Sequence, residues 1–332
     1  MKSVILPQYN RNVLRAILSL KVEQIEKKIP TRDEVVIKVH AAPINPSDIA
    51  FIQGGYNVVK TLPAVPGFEG SGTIVEVGSG LVHLMGKKVS FFAQSDSPGS
   101  WAEFITVNKN DLIVLKDDMD LDQAACLAIN PFTAFGLFSI AIERECATAI
   151  VNAAGGQVPA FIRKLAAEHG VEVINVARNP ETLKQLKHEG HKYVLDETDE
   201  KFSETLNNLA HQLEATVAFD AVGGPHSGVL FNAMPQDSEL VVYGGLSNKP
   251  MTDLSVMDII FKDKLISGFN LTPWMRELEE AEFEEISMLL QEKFISGEWK
   301  TQIQSTIPLE EVVSGLKSYL GNMSKGKVLL KP

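Results

Sequence analysis

The stretch VNAAGGQVP, residues 151–159, decides how this chain folds. Residues 147–153 are almost all small or apolar, as a strand covered on both faces must be. Residues 159–169 then take up helical spacing. A strand that turns into a helix through small residues brings backbone N–H groups and the helix N-terminus close to any ligand at the turn, and a pyrophosphate suits that environment. The G-x-G-x-x-G pattern is not met; the nearest form is A-x-x-G-x-x-P, on Ala153, Gly156 and Pro159. Proline fits the first helical turn, where no intrahelical N–H is needed, but it removes one donor and adds bulk. Ala153, Gly155, Gly156, Gln157 and Val158 are therefore the residues expected to hold a dinucleotide.

Working outward, further strands are expected at 171–176, 193–195, 216–219, 239–243 and 265–269, alternating with helices at 180–188, 200–213 and 225–234. That alternation signals βαβ units and a parallel sheet. An NAD site places an acid at the end of the second strand, about 20 residues beyond the glycines, to bind the ribose 2′-hydroxyl. Here the strand runs into Ala177-Arg178-Asn179. A guanidinium at that place suits a 2′-phosphate, so Arg178 points to NADPH; a solvated loop charge is the alternative reading.

The first 115 or so residues differ: short β-branched runs at 34–39, 72–77, 88–92 and 104–107 lie between Gly and Pro, the mark of a compact β-rich domain. The last 60 or so residues read as an acidic amphipathic helix near 276–294, a strand near 302–307, a helix at 309–320 and a strand at 327–330. Because the tail returns to strands, it is expected to complete the first domain, with the α/β unit inserted. The expected bounds are 1–120, 121–270 and 271–332.

The 332 residues, 45% apolar and 22% charged, suit a folded chain of two domains. A net charge of −11 with no long basic run disfavours nucleic acid and anionic membrane as partners. There is no signal-like apolar segment near the N-terminus and no long apolar run, so neither export nor a membrane span is expected. Cys126 and Cys146 are too few and too far apart for a stapled scaffold, which fits a reducing cytoplasm.

Several stretches resemble the medium-chain dehydrogenase/reductases, in the zinc-independent branch of quinone oxidoreductases and 2-enoyl thioester reductases. They are APINPSD (42–48), IQGGY (52–56), LPAVPGFEGSG (62–72), GSWAEF (99–104), NPFTAF (130–135), FDAVGG (219–224) and VYGG (242–245), with FKDKLISGFNLTPW (261–274) closest to the enoyl reductases. The resemblance implies an α/β fold: a Rossmann doubly wound parallel sheet inserted into a GroES-like β-rich domain. The family's zinc users take ligands from a Cys before the S-D step and a His in a G-H-E step. Here those places read INPSD (44–48) and GFE (67–69), and no C-x-x-C cluster exists, so no metal is expected. Without that Lewis acid, reduction of a polarised C=C is the favoured chemistry, by hydride plus a proton.

By the same resemblance, Tyr56 lies by the nicotinamide and donates the proton or holds the substrate carbonyl; packing on its loop is the alternative. Asn45 is implied to position the substrate or the nicotinamide ribose, and Thr133 to sit on the phosphate side of the nicotinamide. Backbone at Gly244, Gly245, Leu246, Phe269 and Leu271 is implied to hold the carboxamide. Asp48 and Glu69 suit a salt bridge or turn at least as well as catalysis. The expected function is NADPH-dependent reduction of an enoyl thioester or α,β-unsaturated carbonyl, a small molecule. The alternatives are an NADPH:quinone oxidoreductase and a non-catalytic NADPH-binding member. The strand at 265–269 closes the parallel sheet with an exposed edge, which suits a homodimer.

Overall fold

The computed structural model describes residues 1–94 and 98–332. The chain divides into two compact units, one of Met1–Pro131 with Leu278–Pro332 and one of Phe132–Glu277.

The second unit is built on six parallel strands in the spatial order Tyr193–Asp196, Glu172–Ala177, Thr148–Val151, Val217–Asp220, Glu239–Val242, Leu265–Gly268. The first strand in sequence therefore lies between the second and the fourth. Strand order reverses there, and the carboxyl ends of these strands are where a doubly wound sheet receives a ligand. Ala149, Ile150, Val151, Val217, Ala218 and Phe219 are fully buried, which explains why the central strands are apolar at every position rather than at alternate ones.

Helix Gln157–His169 starts two residues before its expected place, with Gly156 as N-cap and Gly170 closing it at φ 71°. Pro159 is thus third in the helix, still inside the turn whose N–H groups have no intrahelical acceptor. Helix Pro180–His188 begins as expected, and the Asn179 side chain accepts the N–H groups of Glu181 and Thr182. The single helix expected near 276–294 is instead two, Leu271–Glu277 and Glu280–Ile295, and Glu279 between them is extended at ψ 150°.

In the other unit a seven-stranded sheet runs Ile303–Pro308, Lys327–Lys331, Glu34–Pro43, Glu69–Val77, Lys88–Phe92, Leu112–Val114, with Phe104–Asn108 also paired to Glu34–Pro43. The C-terminal strand joins this sheet antiparallel through Leu329 opposite Pro43 and Leu330 opposite Ala42. Lys327, near the end of the chain, thereby reaches the interior of an N-terminal sheet. Phe51, Phe68, Phe91, Trp101, Leu316 and Leu330 are among the core side chains. Gly67, at φ 98°, allows the bend that sends Phe68 and Glu69 inward; a Cβ there would lie 2.3 Å from Ser100 Oγ.

Among the described residues, no helix is long and apolar enough to cross a membrane.

Candidate active site

In the second unit the site residues are set by backbone shape. Ala153, at the end of the first strand, has φ 45°, a left-handed conformation that a side chain rarely adopts. Ala154 N–H donates to Val176 O at 3.1 Å, and Gly156 N–H to Ala153 O at 2.8 Å, which fixes the turn against the second strand. The first helical bond, from Ala160 N–H to Gly156 O, leaves the N–H groups of Gln157 and Val158 directed out of the helix start, while Pro159 contributes none. An anion is favoured at such a terminus, and small Gly155 and Gly156 leave room for it. Arg178 is exposed just past the second strand and makes no hydrogen bond or ion pair with another described residue, so its guanidinium is available to a phosphate.

Two supports of this turn were not legible in the sequence. Arg163, from the following helix, donates to Ala154 O at 2.8 Å and Asn175 Oδ1 at 3.2 Å; burial holds its guanidinium down to about 10. Asp220 ends the fourth strand fully buried. Its Oδ1 accepts Asn152 Nδ2 at 2.5 Å and the N–H groups of Val222 and Gly223, and its Oδ2 accepts Ser227 Oγ–H at 2.6 Å. Asn152 Oδ1 in turn accepts Ala221 N–H at 2.7 Å. The loops after the first and fourth strands are thus tied across the point of strand reversal. A lone Asn or Asp carries no such signal until its partner, far along the chain, is brought beside it.

The remaining expected residues of this unit fall at strand ends or on a helix. Gly244 packs on Ala221 so closely that a Cβ would lie 2.6 Å from Ala221 O. The N–H groups of Gly244 and Leu246 are committed to Asp220 O and Ala221 O, while Gly245 and Leu246 are exposed. Phe269 N–H bonds Val242 O, and Leu271 opens the next helix. Thr133 is buried on helix Asn130–Glu143.

In the first unit the chemistry is carried by side chains. Tyr56 follows helix Pro46–Ile52, with its ring 5.2 Å from that of Phe68 at a 32° tilt. Gln94 Nε2 donates to its hydroxyl oxygen at 2.8 Å. Burial pushes the phenol above its ordinary range; the Gln94 hydrogen bond opposes that rise and the charge of Asp48 adds to it. The hydroxyl therefore stays protonated, with its own proton left to donate.

Asn45 is buried at the start of that helix, and both ends of its amide are occupied by the chain itself. Its Nδ2 donates to Glu69 Oε1 at 2.8 Å and its Oδ1 accepts from Lys327 Nζ. Asp48 Oδ2 accepts Asn45 N–H at 2.7 Å, and Glu69 Oε2 accepts Ile129 N–H at 3.0 Å. Both carboxyls are fully buried and pushed up to about 7. For Asp48, burial is the first cause, opposed by the Asn45 N–H and raised further by Glu69; for Glu69, burial is opposed by Lys327.

Two family models match: the alcohol dehydrogenase GroES-like domain over residues 31–117 and the zinc-binding dehydrogenase model over residues 160–291. The chain belongs to the medium-chain dehydrogenase/reductase family, in its zinc-independent reductase branch, and is an oxidoreductase. Among its relatives, the mitochondrial enoyl-[acyl-carrier-protein] reductase of Rattus norvegicus is 31% identical over 305 residues, covering 90% of this chain and 81% of the rat protein. A putative NADPH:quinone reductase from Mesorhizobium loti superposes with a TM-score of 0.93 at 32% identity, over 100% of this chain and 98% of that one. The 2-enoyl thioester reductase heterodimer from Candida tropicalis has the same fold, with a TM-score of 0.80 at 23% identity, over 100% and 99% of the two chains.

The second family model is named for zinc, but the residues here do not fit that ion. Asn45 and Phe68 stand in the two segments where the family's zinc users carry Cys and His, and the Asn45 amide is held by Glu69 and a buried lysine.

Proposed function

We propose that this protein reduces the activated C=C of an enoyl thioester or α,β-unsaturated carbonyl with NADPH, and that Tyr56 supplies the proton. When bound, NADPH provides the hydride that goes to the β-carbon of the substrate. The turn at 153–158 receives the pyrophosphate through the N–H groups of Gln157 and Val158, and Arg178 binds the 2′-phosphate. Tyr56 donates its proton to the α-carbon, and Gln94 N–H holds the phenolate oxygen left behind. With the Gly244, Leu246 and Phe269 N–H groups already bonded within the chain, the backbone groups left free at Gly244–Leu246, Phe269 and Leu271 hold the carboxamide, and Thr133 the phosphate side. Asn45 acts from inside the first unit, fixing the start of the helix that leads to Tyr56.

The observation that carries this reading is the Tyr56 hydroxyl, acceptor to Gln94 at 2.8 Å and still possessing a proton to give. The test follows NADPH oxidation with a crotonyl thioester and with a quinone, for the native chain and Tyr56→Phe. Loss of a general acid is expected to cut enoyl reduction on the order of a hundredfold or more, with quinone turnover nearly intact. A quinone reductase is the second reading, favoured by the 32% identity to the Mesorhizobium loti protein of that name. It needs no proton at carbon, so equal Tyr56→Phe and native rates on both substrates would favour it.

We propose further that the protein is a homodimer. Leu265–Gly268 is an edge strand, and beside it helix Val256–Phe261 exposes Val256, Met257, Ile260 and Phe261, with Phe261 71% exposed. Light scattering that returns a monomer mass at micromolar concentration would refute this. Both cysteines are free and buried, which supports a reducing compartment such as the cytoplasm.

A further inference from the structure

The loop that carries Tyr56, residues 53–60, leaves helix Pro46–Ile52 and lies in no helix or strand, so its shape is set from outside. The N-terminal segment sets it. Tyr9 Oη donates to Lys60 O at 3.0 Å and accepts Lys60 N–H at 2.9 Å, so one phenol closes on both backbone groups of the loop's last residue. Near the loop's start, Gly54 lies against the same side chain at φ 72°, where a Cβ would be 3.0 Å from Tyr9 Cβ. Asn10 N–H donates to Ile52 O at 3.2 Å, and Gln53 Nε2 donates to Arg11 O at 2.9 Å. The rings continue the connection. Tyr9 meets Phe51 edge-on at 5.5 Å, Phe51 meets Phe68 edge-on at 5.3 Å, and Phe68 carries the Tyr56 ring at 5.2 Å. Lys60 Nζ lies over the Phe51 and Phe68 rings, 5.9 and 5.7 Å from their centroids.

We infer that Tyr9 is a positioning residue for the reduction: it holds the 53–60 loop so that the Tyr56 hydroxyl meets the substrate α-carbon. This rests on the reading of Tyr56 as the donor. Tyr9 is joined to Tyr56 twice, through the loop backbone and through packed rings, although Tyr9 and Lys60 lie 51 residues apart in sequence. Core packing accounts for the ring of Tyr9; the hydroxyl is what orients residue 60. In the step it serves, hydride on the β-carbon has left an enolate, the Tyr56 O–H bond breaks and a C–H bond forms at the α-carbon. The electron pair of the O–H bond stays on the phenolate oxygen, which is later reprotonated from solvent. Such a transfer is sensitive to misplacement of the donor on the scale of about 1 Å, so a loosened loop slows it.

Kinetics with a crotonyl thioester test this in the native chain, Tyr9→Phe, Tyr56→Phe and the double variant. Tyr9→Phe keeps the ring and removes both hydrogen bonds. It is expected to lower kcat about tenfold, with the KM for NADPH within about twofold of native and quinone turnover nearly intact. Added to Tyr56→Phe it is expected to cost less than about twofold more, since a donor that is absent cannot be misplaced. A readout free of turnover is amide hydrogen exchange. The Lys60 N–H, deprived of its acceptor, is expected to exchange about tenfold faster in Tyr9→Phe, while that of Val4, bonded to Trp101 O at 2.9 Å, keeps its native rate. A native kcat in Tyr9→Phe, a loss that adds in full to that of Tyr56→Phe, or equal quickening at Val4 and Lys60 overturns the role of Tyr9 and leaves the donor reading intact. Undiminished enoyl reduction by Tyr56→Phe overturns the donor reading itself.

Discussion

In residues 132–277 the features proposed to bind a ligand are, Arg178 apart, matters of backbone shape: Ala153 at φ 45°, the helix start at Gln157, and strand ends tied by Asn152 and Asp220. In the other unit a network of buried side chains stands behind the proposed donor Tyr56: Asn45, Asp48, Glu69 and Lys327 converge from a helix and two strands. As proposed, the first arrangement receives a phosphate on backbone N–H groups, which any residue but proline supplies, so much of its sequence can vary while its shape persists. The second depends on particular functional groups in a dry interior, where each one shifts the charge state of the next. Backbone sites tolerate substitution and resist pH; side-chain networks do neither.

The largest expected effect that sharpens this contrast is Lys327→Met. It strips the buried cation from two buried carboxyls and is expected to cost about 3–5 kcal/mol in chemical denaturation. A loss below about 1 kcal/mol would show that the cation is dispensable.

The pH dependence of stability comes next. Asp48 and Glu69, at about 7 in the folded chain, hold protons that the unfolded chain releases near pH 4. The folded state therefore binds more protons between those values, and stability falls as pH rises from about 4 to about 7. Asp258, in the other unit, behaves oppositely. Despite burial, its bonds to Lys264 and Lys262 hold it at about 2, so its contribution is lost only as pH falls below about 4 towards 2. Denaturation midpoints at about pH 5 and about pH 7.5, compared for native chain and Asp48→Asn, check the first slope. A flat native midpoint would break the comparison.

Arg178→Ala is expected to weaken NADPH about tenfold to a hundredfold in a fluorescence titration while leaving NADH nearly unchanged. Equal losses would remove the 2′-phosphate assignment. Gly136→Ala should cost about 1–2 kcal/mol by thermal denaturation, because the new Cβ meets the Phe269 ring at 2.6 Å and the Trp274 ring at 2.9 Å. The smallest effect is Ala153→Gly. Relief of the positive φ outweighs the added chain entropy, for a gain of about 0.5 kcal/mol.

Much of the parallel unit was legible because its strands are continuously apolar and its helices amphipathic. Helix Pro180–His188 and strand Lys88–Phe92 of the other unit fall where the pattern puts them. Helix Asn130–Glu143 left no such mark: it is apolar nearly all round, so no 3.6-residue stripe stands out. The break between Glu277 and Glu280 was hidden by a run of good helix formers on both sides. The candidate site divides in the same way. The turn at 151–159 and Arg178 are local in sequence, so spacing reveals them. The partners of Asn45 are 24 and 282 residues away, so spacing cannot reveal them.

By itself the sequence determined the alternation of strands and helices, the small-residue turn and the basic group after the second strand, because each depends on neighbours within about 20 residues. The tertiary structure alone decided that Asn45 faces inward on Glu69 and Lys327, that one Asp48 oxygen has no hydrogen-bond partner among the described residues, and that burial raises both carboxyls towards 7. The physical reason is desolvation, which a residue acquires only from everything that packs around it.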